Sequence, residues 1–111
     1  MLPNLRKLWA AQIGATSIPD ELAALKELRL LALGDNKIRE VPEWLASLDK
    51  LDELYLEGNP ITEIPASLRK RLDDGSIPNY FVPETSRDKA EAILAQLAEL
   101  SKKIAELYVE K

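Results

Sequence analysis

Leu28-Arg29-Leu30-Leu31-Ala32-Leu33-Gly34-Asp35-Asn36-Lys37-Ile38 decides the fold, because Leu51-Asp52-Glu53-Leu54-Tyr55-Leu56-Glu57-Gly58-Asn59-Pro60-Ile61 repeats its pattern 23 residues later. In both stretches leucine holds the first, fourth and sixth positions, asparagine the ninth and isoleucine the eleventh. The period extends outward from there. Leu5 and Leu8 fall in the columns of Leu28 and Leu31, and Ala10 in that of Leu33. Ile18-Pro19, Val41-Pro42 and Ile64-Pro65 share one register, as do Leu22, Leu45 and Leu68. The units are residues 5–27, 28–50 and 51–72. A fixed period of this length marks a repeat architecture, in which each unit buries its apolar edge only by stacking on its neighbours.

Each unit also has a local reading. Alternation through Leu31-x-Leu33 and Leu54-x-Leu56 predicts short strands with the leucines on one face. Proline can open a helical turn, because its missing N–H has no partner there in any case. The Ile-Pro-x-x-Leu tails are therefore expected to return through a short helix or 3-10 turn. The first unit departs from the pattern, with Ile13 at the asparagine position and Gly14 after it. Terminal repeats are often atypical, which suits an edge role. The expected fold is an α/β repeat with parallel strands.

These units resemble the leucine-rich repeat, and their tails resemble its short bacterial and Ras-associated types. The resemblance covers residues 5–72, about 60% of the chain. It implies a three-repeat solenoid in which Asn36 and Asn59 bond to neighbouring backbone as a ladder. It also implies a non-enzymatic module that binds another protein, of unknown identity, through a concave strand face. Positions between the leucines then line that face: Lys7, Leu30 and Glu53; Trp9, Ala32 and Tyr55; Ala11, Gly34 and Glu57. Lys7, Trp9, Leu30, Ala32, Glu53, Tyr55 and Glu57 are the candidate partner-binding residues. Trp9 and Tyr55 would be anchors, Leu30 apolar area, Ala11 and Gly34 a shallow depression, and Glu53, Glu57 and Asp35 an acidic rim. Alternatively, Trp9 shields the first strand, or the C-terminal helix of another copy covers the face. Trp44 falls on the convex return and is expected to pack there. Glu57-Gly58-Asn59-Pro60-Ile61, with the later Ala90-Glu91-Ala92-Ile93-Leu94, is similar to the end of the repeat array in bacterial Roc-COR proteins. There a helix follows the last repeat and leads to a GTPase domain. On that likeness, or a likeness to bacterial ubiquitin-ligase effectors, the chain would be the repeat part of a larger protein. It contains neither a GTPase nor a catalytic cysteine of its own.

Beyond the repeats, residues 73–85 form a connector with Gly75, Pro78 and Pro83, and residues 86–110 a helix without glycine or proline. Leu68, Leu72, Ile77, Tyr80, Phe81 and Val82 are candidates to cap the C-terminal side. At the N-terminal side only Met1, Leu2 and Pro3 precede the first strand, so its edge is expected to be open or covered by another chain. Thr85-x-x-Asp88 and Ser86 supply N-cap chemistry. Ala90, Ile93, Leu97, Leu100, Ile104 and Leu107 alternate by three and four residues, which is coiled-coil spacing. Leu94 and Tyr108 widen the stripe toward that of a helix on a core. The helix therefore docks within its own chain, pairs with a second copy, or meets a foreign partner. Its length, roughly 35 Å at 1.5 Å per residue, exceeds the width of three strands, about 10 Å. A homodimer built on Ile93, Leu97, Leu100, Ile104 and Leu107 is accordingly one expectation.

Composition narrows the chemistry. The chain has no histidine and no cysteine, and its net charge is −4. The usual bases, thiol nucleophiles and soft metal ligands are missing, so no enzyme activity, metal or cofactor is expected. An acidic balance argues against nucleic acid, which needs a basic surface. Arg69-Lys70-Arg71 is followed, after Leu72, by Asp73-Asp74, which suits a solvated loop or cap better than a phosphate site. No apolar run approaches the ~18–20 residues that span a bilayer, and Met1–Lys7 lacks the apolar stretch of a signal peptide. The expectation is a cytoplasmic protein without membrane contact.

Overall fold

A computed structural model describes residues 3–107. Met1 and Leu2, and the end of the expected helix with Tyr108, lie outside the described residues. Strands β1 (Lys7–Trp9), β2 (Leu30–Ala32), β3 (Glu53–Tyr55) and β4 (Asn79–Phe81) form one parallel sheet in that order. The register follows the sequence period: Leu8 lies beside Leu31 and Leu31 beside Leu54. Strand β4 was not legible as a strand. It sets Tyr80 beside Leu54 and Phe81 beside Tyr55, although its sequence follows no repeat column.

The returns start where proline places them. Short 3-10 helices span Asp20–Ala24 and Glu43–Ser47, and helix α1 spans Ala66–Asp73. Pro19, Pro42 and Pro65 precede them, with φ of −61°, −72° and −55°. Only the third return is a full α-helix. Leu68 and Leu72 anchor it in the core, and its Arg71 guanidinium donates to the carbonyls of Leu48 at 2.9 Å and Leu51 at 3.1 Å. Leu48 O also accepts from Leu51 N–H at 3.0 Å, so Arg71 reinforces the end of a turn that the backbone already closes.

Leucines of the repeat columns form the core, with Leu28, Leu31, Leu51, Leu54 and Leu56 each no more than 1% exposed. Their first-repeat counterparts Leu5, Leu8 and Ala10 are only half-buried. The reason is positional: β1 is an edge, and no strand lies beyond it among the described residues. At the other end Ile77 is buried and Val82 packs on the core, whereas Tyr80 and Phe81 are exposed. The cap is therefore smaller than the sequence suggests.

The asparagine ladder forms as the resemblance implied. Asn36 Oδ1 accepts from the N–H groups of Ile13 (3.0 Å) and Ala15 (3.1 Å), and Nδ2 donates to the carbonyls of Ala10 (3.0 Å) and Leu33 (2.9 Å). Asn59 accepts from Ile38 N–H (3.1 Å) and donates to Leu33 (2.9 Å) and Leu56 (3.0 Å). Each carboxamide thus closes its own turn and clamps the preceding one. The residue just before this column is left-handed in all three units: Gln12 at φ 56°, Asp35 at 55° and Gly58 at 71°.

Helix α2 (Ser86–Leu107) leaves this body and extends the molecule to 71 Å, against 26 and 18 Å in the other directions. None of its described residues is buried, so the option of docking within the chain is not what the structure shows. Only its root is held. Thr85 Oγ1 accepts from Asp88 N–H at 3.1 Å, and Asp88 accepts from Thr85 N–H at 3.0 Å. This is a reciprocal cap of the expected kind. Arg69 on α1 pairs with Asp88 at 2.8 Å, and Arg87 with Glu63 at 3.3 Å.

Candidate interaction face

Side chains alternate across a strand, so the residues paired with Trp9, Ala32 and Tyr55 share one face of the sheet, opposite the leucine core. The register adds Phe81 to that row, giving Trp9, Ala32, Tyr55 and Phe81 on four successive strands. Trp9 is 67% and Phe81 57% exposed. Phe81 was expected in the cap. The signal that could have moved it is its place two residues before Pro83, in a stretch too short to be a helix.

The row below it is Lys7, Leu30, Glu53 and Asn79. Leu30 and Ala32 were expected to offer surface, and they do not. They are 3% and 7% exposed, because the middle strand is flanked on both sides, by Lys7 and Glu53 in one row and by Trp9 and Tyr55 in the other. The face is thus two aromatic ends separated by a closed floor. Tyr55 is half-buried, and its hydroxyl donates to Glu53 Oε1 at 3.0 Å. That hydrogen bond, with burial and the Glu53 and Glu57 charges, raises the Tyr55 pKa above its ordinary value.

The expected depression at Gly34 is also filled. Gly34 is buried, and the Glu57 carboxylate occupies the space where a β-carbon would sit. One Glu57 carboxylate oxygen, Oε2, is buried with no hydrogen-bond partner. In the next column the Asp35 carboxylate covers Gly58 in the same way. Two negative charges therefore lie flat on the turn end of the face, and Glu53 adds a third beside Tyr55.

Other charged features belong to the fold. Trp44 packs partly on the core from the convex side, and its indole N–H donates to Asp20 at 3.1 Å. Lys50 and Glu27 pair at 2.8 Å between successive returns, and this bond to Lys50 lowers the Glu27 pKa. A groove of about 430 Å³ at the root of α2 is lined by Arg69, Arg87, Asp88 and Glu91. Those four groups are already ion-paired there, Arg69 with Asp88 and Arg87 with Glu91. The basic run 69–71 is thus structural at two of its three positions. No helix among the described residues is long and apolar enough to cross a membrane.

Comparison with known proteins bears on the repeats alone. The family model described as Leucine rich repeat matches residues 3–61, just over half of the chain. That segment contains β1, β2 and β3 and both ladder asparagines, and stops before α1, β4 and α2. No curated protein and no solved structure matches the chain. Domains of the matched family generally mediate protein–protein interaction. With β1, β2 and β3 in the register of the repeat and the match spanning those three strands and more than half of the chain, the chain belongs to the leucine-rich repeat family.

Proposed function

We propose that the protein is a three-repeat solenoid, closed by β4, that binds a protein partner through the Trp9–Tyr55–Phe81 face. The observation that carries this reading is the exposure of two large aromatics at the ends of one strand row, 67% for Trp9 and 57% for Phe81. Aromatic side chains anchored on rigid strands supply large contact area at little entropic cost, and such residues dominate interface energetics. Lys7, Glu53 and Glu57 border the row and would select partners by charge rather than supply most of the affinity. Leu30 and Ala32 form its floor. The acidic balance favours a partner that is not itself strongly acidic.

Replacing Tyr55 with a photoreactive benzoyl-phenylalanine keeps an aromatic group in place and reports what touches it. The proposal expects a discrete protein adduct at position 55 and none at Ser47, which is exposed on the convex side. Equal labelling at both positions, or labelling at 47 alone, would reject the face.

A further inference from the structure

We propose that α2 is an assembly helix, whose exposed stripe pairs antiparallel with the same stripe of a second copy. Six of the ten large apolar side chains exposed among the described residues lie on this one helix, at 45–80% exposure. Isolated apolar residues on a surface need no explanation, but a contiguous stripe does. In proteins most helical stability also comes from packing an apolar face rather than from propensity. Among the described residues nothing buries it: the cap and ion pairs hold only its first turn.

Self-complementarity identifies the occupant. In an antiparallel pair, Leu97 faces Leu100 of the second copy, Ile93 faces Ile104, and Ala90 faces Leu107. All three layers satisfy one register, since 97 + 100, 93 + 104 and 90 + 107 give the same sum. The smallest residue of the stripe then meets a large one, as close packing requires. Beside the seam, Leu94 meets Ser101 and Gln96 meets Lys103, with no like charges opposed. A parallel pair would set Ala90 against Ala90 and leave a void. It would also bring both roots within the ~8–10 Å that separates paired helices, although each molecule measures 26 by 18 Å across. Antiparallel pairing sends the two repeat bodies to opposite ends and leaves both aromatic faces open.

Because the chain has no cysteine, a single Ser86→Cys substitution places one spin label at the root of α2 in each copy. Antiparallel pairing predicts a label separation of about 38 Å along the axis, 25 residues at 1.5 Å each. Parallel pairing predicts about 10 Å. Sedimentation equilibrium of the full chain should show a concentration-dependent dimer, and Leu97→Asp with Ile104→Asp should leave only monomer. That variant should keep the melting transition of the repeat body, since no described α2 residue is buried in it. A dimer with the short distance overturns the antiparallel arrangement. Persistence of the dimer in the double variant overturns the helix as its seat. A monomer at about 100 μM overturns the proposal, as micromolar affinity is the least such a surface should give after association costs. A compact monomer would then mean that α2 folds back on its own body, and an elongated one that its stripe serves a different protein.

Discussion

Asn59 shows how one side chain holds two units together. It is 7% exposed, and its carboxamide bonds to the backbone of its own turn and of the previous repeat. Truncation to alanine strands those buried groups, and a loss of ~1–3 kcal/mol is expected in chemical denaturation. Leu54→Ala, in the centre of the core, should cost on the order of 2–5 kcal/mol by the same measurement. An unchanged denaturation midpoint in either variant would contradict the register described above. Both residues were legible from the sequence, because a 23-residue period fixes which positions repeat and alternation fixes which of them point inward. Leu30 and Ala32 were misjudged for a reason that periodicity does not contain. Their columns place them on the open face, but their exposure depends on what flanks them. Strand β2 has a neighbour on each side, and in that interior position both residues are buried.

At the scale of elements, the returns and the helix cap followed from proline and from Thr85-x-x-Asp88. Strand β4 did not, because Asn79-Tyr80-Phe81 has neither the leucine alternation nor the period. It pairs because β3 would otherwise present an unpaired edge, and an open edge accepts whatever extended segment is nearby. The junction of α1 with α2 gives a pH prediction. The Asp88 pKa is lowered from its ordinary 3.8, chiefly by the Thr85 backbone N–H, with further help from the Thr85 hydroxyl and Arg69. A carboxylate with a depressed folded-state pKa contributes stability in full above its unfolded pKa and loses it as pH falls through the folded value. The helical signal of the parent should therefore exceed that of Asp88→Asn at neutral pH. The gap should close only below about pH 4. A gap that does not change with acidification would mean that the ionised Asp88 carboxylate is not what holds the helix.

For the whole molecule, the distribution of exposed apolar surface is the informative quantity. Most of it lies in a row of aromatics on the sheet and a stripe of aliphatics on a projecting helix, with Ile13 and Tyr80 outside both. The core side of the sheet leaves little exposed except at the β1 and β4 edges. The sequence read both regions as interaction surfaces, but it could not say that α2 stands clear of the body. Helical periodicity shows which face is apolar, not what covers it. Charge on the sheet face adds a kinetic expectation: Glu53→Lys should slow association with a partner in a salt-dependent way, as rim charges do, and also release the Tyr55 hydroxyl. The most direct test is the affinity of a partner recovered through position 55, measured for the parent and for Trp9→Ala with Phe81→Ala. Both aromatics are exposed, so folding should be preserved. Binding should weaken by ~2 kcal/mol or more, roughly 30-fold. Equal affinity for parent and double variant, with unchanged melting temperatures, would contradict the assignment of this face.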